Sequence, residues 1–438
     1  MIKKFILILV ISLFSNCAFA IERTELNTEF FSRFNDECLV YYINKAIENN
    51  HSTKQASYRV EQYRQQVKYS LGKELPSFSV SANYLGIKVP KLDNFSLKKS
   101  AFVLPFMVNY EPDFLLKNCD KTRSEKKALE AQQYEEKAVY IALLSDVATV
   151  YTNILQYDEL IKLARENVDI YTKLLSSDSK KYERGVINST QFNTSTKNLE
   201  TAKNTLEDLT KQQEMLLMQL AVLTGTSPSD FQNLQRGNID NFEYSGTIPE
   251  EVCSDVIFSR PDVMKAEAQL EKAKIDVRVA RKDFLPSFNI TGFWIFNTIA
   301  PGSFFSWDSS LASLLAGASQ DIFMGGRKIA ALKLQKAKFE ELCENYRQTD
   351  LEAVKEVNTA LCFVKHDTQA DKNTINKLNY EYKNLNSAKR KLQHGTISDP
   401  EYLNNLANFI SIQNEYVNTK TQRLVNYYTL YKAVGGQL

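Results

Sequence analysis

The sequence predicts a mainly α-helical protein with a membrane β portion, built from long antiparallel coiled-coil helices and four β-strands per chain. Three observations carry this. The chain repeats itself at an offset of 210 positions. Each repeat holds one long stretch free of proline and glycine, with apolar residues at helical spacing. After each "LPSF" the apolar residues switch to a period of two, the spacing of a strand with one buried face.

The repeat is read from three matches in one register. "LPSF" stands at Leu75–Phe78 and Leu285–Phe288, "KYERGVIN" at Lys181–Asn188 falls on "KLQHGTIS" at Lys391–Ser398, and Gly225 falls on Gly435. A period this long lies far outside the roughly 20 to 50 residues of a solenoid unit, so it marks a duplicated domain-sized unit. The expected division is a signal peptide at 1–20, a first repeat at 36–225, a linker at 226–245 and a second repeat at 246–435. Eleven percent aromatic residues and a negative mean hydropathy exclude both a polytopic helical membrane protein and a disordered chain.

In chain order, Met1–Ala20 opens with Lys3 and Lys4, runs through "FILILVISLF" and ends "AFA", a signal peptide. Cys17 raises the alternative of lipoprotein attachment, but Phe14-Ser15-Asn16 approaches it poorly, and cleavage after Ala20 is preferred. Without Lys3 and Lys4, the 54 basic and 52 acidic residues fall to 52 and 52, which gives no bulk charge for nucleic acid. Five cysteines then remain, at 38, 119, 253, 343 and 362, irregularly spaced like the three histidines His51, His366 and His394; neither set resembles a metal site. No cofactor or metal motif is expected.

A helix from about Asp36 to Gly72 precedes the first LPSF, and one from about Glu250 to Lys282 precedes the second. Strand pairs follow, within 76–113 and 286–323. Phe78, Val80 and Tyr84 begin an apolar row, which Phe102, Leu104, Phe106, Val108 and Tyr110 continue. Phe288, Ile290, Trp294 and Phe296 repeat it, and Ser310 to Asp321 supplies a weaker fourth strand. One apolar and one polar face over strands of about 9 to 11 residues fit an outer-membrane barrel, with the apolar face toward lipid. The alternative is a sandwich strand over a protein core. Lipid tolerates no open edge, so a membrane reading requires further copies of the chain. The loops at about 86–100 and 297–309 would then lie outside the cell.

The long helix runs from near Leu115 to Arg184, about 100 Å at 1.5 Å per residue. Val139, Leu143, Val147, Val150, Ile154, Tyr157, Ile161, Ala164, Val168, Tyr171 and Leu175 mark its seam, and Leu199 to Leu223 mark a returning helix. Gly185 turns the first tip and Gly395 the second. Such a hairpin reads as a strut rather than a globular core. The return helix and the helix before LPSF, stacked end to end, would match the long one.

At these residues the chain resembles the TolC-like outer-membrane efflux proteins, in the NodT-like branch serving resistance-nodulation-division (RND) pumps. The resemblance rests on "RPDVMKAEAQLEKAKIDVRVARKDFLPSF" at Arg260–Phe288, "SQDIFMGGRKIAALKLQKAKFEE" at Ser319–Glu341 and "LYKAVGG" at Leu430–Gly436. It implies a homotrimer whose twelve-stranded barrel continues into a twelve-helix periplasmic tunnel. It also implies a periplasmic adaptor (membrane fusion) protein and an inner-membrane RND pump as partners, with the barrel in outer-membrane lipid. The function implied is the exit duct of a tripartite efflux pump, passing small molecules from the periplasm outward. The same architecture serves type I protein secretion; a periplasmic coiled-coil adaptor or scaffold is the reading without a barrel.

The family often closes its tunnel with acidic rings after the second tip glycine. Here the positions six and nine after Gly395 are Glu401 and Asn404, the latter often aspartate in the family. Asp399 and Glu401 therefore carry two readings: a cation-holding ring at the gate, or the acidic first turn of a helix. Tyr182, Gly185, Val186, Leu392, Gly395 and Ile397 are the expected adaptor contacts; their other reading is simply to turn the chain. Where related channels latch the tips with arginine and tyrosine, this chain has Ile397 and Leu392. No nucleophile elbow, phosphate loop or HExxH is present, and no enzyme is expected.

Overall fold

The computed structural model describes residues 27–88, 98–229, 234–249, 251–298 and 310–438. The expected signal peptide with Cys17, and the middle of both strand loops, lie outside the described residues. In the first repeat α1 (Glu29–Ser32), α2 (Glu37–Asn49) and α3 (His51–Gly72) precede β1 (Ser77–Val80), β2 (Asn83–Lys88) and β3 (Lys98–Tyr110), followed by α4 (Lys117–Glu183) and α5 (Ser189–Leu223). In the second, α6 (Ser254–Phe258) and α7 (Pro261–Lys282) precede β4 (Ser287–Thr298), β5 (Ser310–Ser319), α8 (Arg327–Gln393) and α9 (Asp399–Ala433). The bounds of α3, α4 and α5 recur 210 positions later in α7, α8 and α9.

The helix expected over Asp36–Gly72 is two helices. Asn50 leaves helical geometry at φ −60°, ψ 131°. Its side chain accepts from the amides of Ser52 and Thr53 at 2.8 and 3.2 Å, which restarts the chain as α3. Its Nδ2 donates to Leu223 O at the end of α5 (2.9 Å). The stacking of α5 on α3 is thus a bonded joint. Gly225, at φ 68°, sits so close that a β-carbon there would lie 2.6 Å from Asn49 O, so only glycine fits. The second repeat breaks at the equivalent place: Arg260 precedes Pro261, and its guanidinium donates to Ala433 O at the end of α9 (2.7 Å).

The long helices are not struts throughout. Near their middle Phe30, Phe31, Phe34, Tyr42, Tyr151, Phe242, Tyr428 and Tyr431 form a fully buried aromatic core with Leu144, Val147 and Ile154. The expected linker contributes to it through Phe242 and Ile239. Gly237 N–H donates to Tyr151 Oη at 2.9 Å, Tyr42 Oη donates to Gln235 O at 2.8 Å, and Lys420 Nζ to Asp240 O at 3.1 Å. Residues 234–249 therefore strap the two repeats together.

Helix α4 buries two stripes where one heptad seam was expected. It packs against α5 and α9 toward the tips and against α3 and α7 toward the sheet. Leu143, Val147, Val150, Ile154 and Ile161 of the expected seam are buried, but so are Leu144, Ala148, Tyr151, Leu155, Leu163, Ile170 and Leu174. Leu163, Ile170 and Leu174 pack with Ile410 and Val417 of α9. A helix between two neighbours must bury a wider arc than one in a two-stranded coil.

The strands form one antiparallel sheet in the order β1–β3–β4–β5, with β2 also pairing β3. β1 and β2 are collinear: Val80 pairs Phe106 and Asn83 pairs Val103, in one register. Between them Ser81 N–H donates to Pro105 O at 3.1 Å. Pro105 has no N–H to return, so the ladder lapses there. Four strand paths result, closed at neither edge.

Candidate functional site

Two regions carry the residues singled out in the sequence, the sheet and the tips. Residues opposite one another across antiparallel strands share a face. Phe78 pairs Val108, Val80 pairs Phe106 and Tyr84 pairs Phe102; Leu104 pairs Phe296, Phe106 pairs Trp294 and Tyr110 pairs Ile290. Phe288 extends the row opposite Ala318. The register thus aligns the apolar row across the sheet. Phe78 (78% exposed), Val80, Tyr84, Phe106 and Trp294 project from it, while Phe296 is buried between Trp294 and Phe106.

The opposite face is not polar along its whole length. Ser77, Asn109, Thr291, Asn289 and Ser287 line its LPSF end, with Leu315 opposite Thr291, and Thr291 Oγ1 donates there to Asn109 Oδ1 at 3.1 Å. Farther out, the same face carries Met107 beside Phe293, and Pro105 beside Ile295 and Leu311. The signal was legible in the unbroken apolar run "FWIF" at Phe293–Phe296, which has no period of two.

At the tips α4 and α8 end in left-handed glycines, Gly185 at φ 73° and Gly395 at φ 70°. Gly185 N–H donates to Tyr182 O and Val186 N–H to Lys181 O (2.9 and 2.8 Å); Gly395 N–H donates to Leu392 O and Thr396 N–H to Lys391 O (both 2.9 Å). This pair of bonds closes a helix C-terminus. Nothing lies within 4 Å of a β-carbon built on either glycine, so backbone conformation alone calls for glycine there. Tyr182 stacks on Phe192 at 5.0 Å. Val186 is exposed, and Leu392 and Ile397 are half-buried.

The returning helices are capped differently. Asn188 and Gln191 form a reciprocal capping box on α5, whereas Ser398 Oγ accepts from Glu401 N–H at 3.4 Å, with Pro400 in the first turn of α9. Asp399, Glu401 and Asn404 are all exposed, and Glu401, Asn404 and Asn408 share one stripe of α9. Among the described residues, Asp399 and Glu401 have no cation within 4.0 Å. A single chain does not bring these carboxylates together across an axis.

Sequence reasoning missed two charged joints. Arg260 is buried yet fully engaged, reaching Asp262 at 2.7 Å and Glu356 at 2.6 Å besides Ala433 O, and so ties α7, α8 and α9. Below the sheet Asp120, 1% exposed, meets Lys282 at 2.7 Å, Arg278 at 3.3 Å and Arg123 at 3.2 Å. Burial opposes its charge, but Lys282 and Arg278 outweigh burial and hold the carboxyl below its usual range.

A model described as outer membrane efflux protein matches residues 42–226 and again 252–436. The chain belongs to the outer membrane efflux protein family. The two matches lie 210 residues apart at both ends, the offset of the repeat. The efflux protein is 26% identical to the cation efflux system protein CusC of Escherichia coli O157:H7, over 92% of this chain and 87% of CusC. It is 27% identical to the pyoverdine export outer membrane protein OpmQ of Pseudomonas aeruginosa, over 79% of this chain and 70% of OpmQ. The Campylobacter jejuni CmeC outer membrane channel shares its fold at a TM-score of 0.85 and 22% identity, covering 94% of this chain and 89% of that one. The efflux protein is accordingly a transport protein of the outer membrane, and not an enzyme.

Proposed function

We propose that three copies of this chain form the exit duct of a tripartite efflux pump, a twelve-stranded barrel continued by a twelve-helix periplasmic tunnel. The observation that carries this reading is that every layer ends in two different open edges. The sheet exposes β1 and β2 on one side and β5 on the other. The helical layer exposes Tyr58, Tyr69 and Met218 on α3 and α5, and Leu351, Phe363 and Tyr380 on α8. Two unlike edges join head to tail, and a rotation that closes makes a ring. Closure also removes the unpaired strand edges that lipid cannot satisfy.

In this assembly the sheet face bearing Phe78, Phe106 and Trp294 meets lipid. Tyr182, Gly185, Val186, Leu392, Gly395 and Ile397 present the tips to a periplasmic adaptor, which links the duct to an inner-membrane pump of the RND type. Three copies of Glu401, with Asp399 and Asn404 nearby, face one another as an inner gate that collects cations. The test is block of the reconstituted channel by trivalent cations from the periplasmic side. Glu401→Ala is expected to weaken it, and Glu340→Ala, far along α8 from the tip, to leave it intact. Unchanged block in Glu401→Ala, with a stability loss of up to about 1 kcal/mol from the lost helix-dipole contact, would reduce Glu401 to a helix-start residue.

A further inference from the structure

Resting on the exit-duct reading, we infer that two rows midway along the barrel lumen form an apolar belt that receives the hydrocarbon part of its cargo, so that the exported molecules include amphiphilic organic compounds. The register places the belt. On the face opposite Trp294, Met107 pairs Phe293 and Phe293 pairs Ser313; one step farther out Pro105 pairs Ile295 and Ile295 pairs Leu311. Toward the periplasm the next row on this face is Ser77, Asn109, Thr291 and Leu315, hydrogen-bonded between Thr291 and Asn109 and apolar only at Leu315. Along β3 and β4 the face thus changes from amide and hydroxyl to hydrocarbon within two residue steps, while β1 keeps Ser77 and Ser79 and β5 alternates Leu315, Ser313 and Leu311.

No packing demand of the single chain accounts for this change. Met107 is 38% and Leu311 57% exposed, and Phe293 and Ile295 are only half-buried. No ionisable side chain lies between Val103 and Asn109, Ser287 and Ile295, or Ser310 and Ser319. A lumen for hydrated ions alone gains nothing from Phe293 and Ile295, where threonine would hold a strand equally well. Closed by three-fold repetition, the two rows form rings in which Met107, Phe293, Pro105, Ile295 and Leu311 are interspersed with Ser79, Ser81 and Ser313. Such rings attract alkyl and aromatic groups without directional bonds, which suits cargo of varied shape.

The test uses the full chain reconstituted in a planar bilayer. The probes are alkyltrimethylammonium ions, from tetramethylammonium to the octyl member, all of one charge. Each methylene half-buried on the belt is expected to lengthen block about two-fold, half the free energy of burying a CH2 group. Phe293→Thr with Ile295→Thr is expected to reduce octyl block to the tetramethylammonium level at unchanged open current. Leu311→Ser alone should shorten octyl block without touching assembly, and Leu314→Ala, on the lipid face, should leave chain-length dependence whole. Block independent of chain length in the unaltered protein, or dependence retained in the double variant and in Leu311→Ser, would overturn the belt and leave the duct standing. Protein that inserts but passes no current would overturn the duct, and the belt with it.

Discussion

Asp120 shows how one carboxylate secures the joint between the sheet and the long helices. It is buried against Lys282 and Arg278 of α7, with Arg123 from its own helix, and Lys282 also donates to Leu116 O at 2.9 Å. Because its folded pKa lies below the ordinary value, the stabilisation is whole above the unfolded carboxylate value of about 3.9 and fades as pH falls toward the folded value. Asp120→Asn is expected to cost about 2 kcal/mol at neutral pH, less than a deeply buried pair because its cations reach water. It should also flatten the fall of melting temperature below about pH 4. Thermal denaturation of both proteins across pH 3 to 8 checks this; parallel curves would mean that Asp120 does not titrate within the folded protein's range.

At the scale of the element, the sheet is decided by which phase of each strand is apolar. Phe106 stands in the middle strand, paired with Val80 on one side and Trp294 on the other. Asn109, three residues on, belongs to the other face and accepts from Thr291. Phe106→Arg is expected to impair membrane insertion, since a lipid-facing cation near mid-bilayer costs about 2 to 4 kcal/mol, while Asn109→Arg inserts normally. Comparing the membrane yield of the two variants checks the assignment, and equal yields would invert the faces.

The whole molecule is an open layer whose edges look for partners. Gln213 bonds Asp158 at 2.6 Å, which sets Met218 of α5 about level with residue 153 of α4. The repeat equivalent of that position is Phe363 on α8, so the two exposed apolar residues stand at one height on opposite edges. Met218→Asp or Phe363→Asp is expected to shift the detergent-purified protein from a three-chain to a one-chain mass, with helical content retained. Native mass measurement with circular dichroism reads both, and a persisting trimer would remove these two side chains from the interface.

The sequence by itself determined the repeat, the long helices, both tips and the apolar strand row, because these depend on local periodicity and on where proline and glycine stand. Lys117–Glu183 and Arg327–Gln393 needed nothing beyond the spacing of apolar residues and one glycine each. Only the tertiary structure decided the break at Asn50, the second buried stripe of α4, the strap at 234–249, the charges gathered on Asp120 and the apolar rows midway along the second sheet face. Each of these joins residues far apart in the chain. Asn50 bonds Leu223 across 173 positions, and Lys282 bonds Asp120 across 162. No local period records which helix will lie beside which. That follows from two repeats folding onto one another, where burying the aromatic core fixes the neighbours and the neighbours fix the bonds.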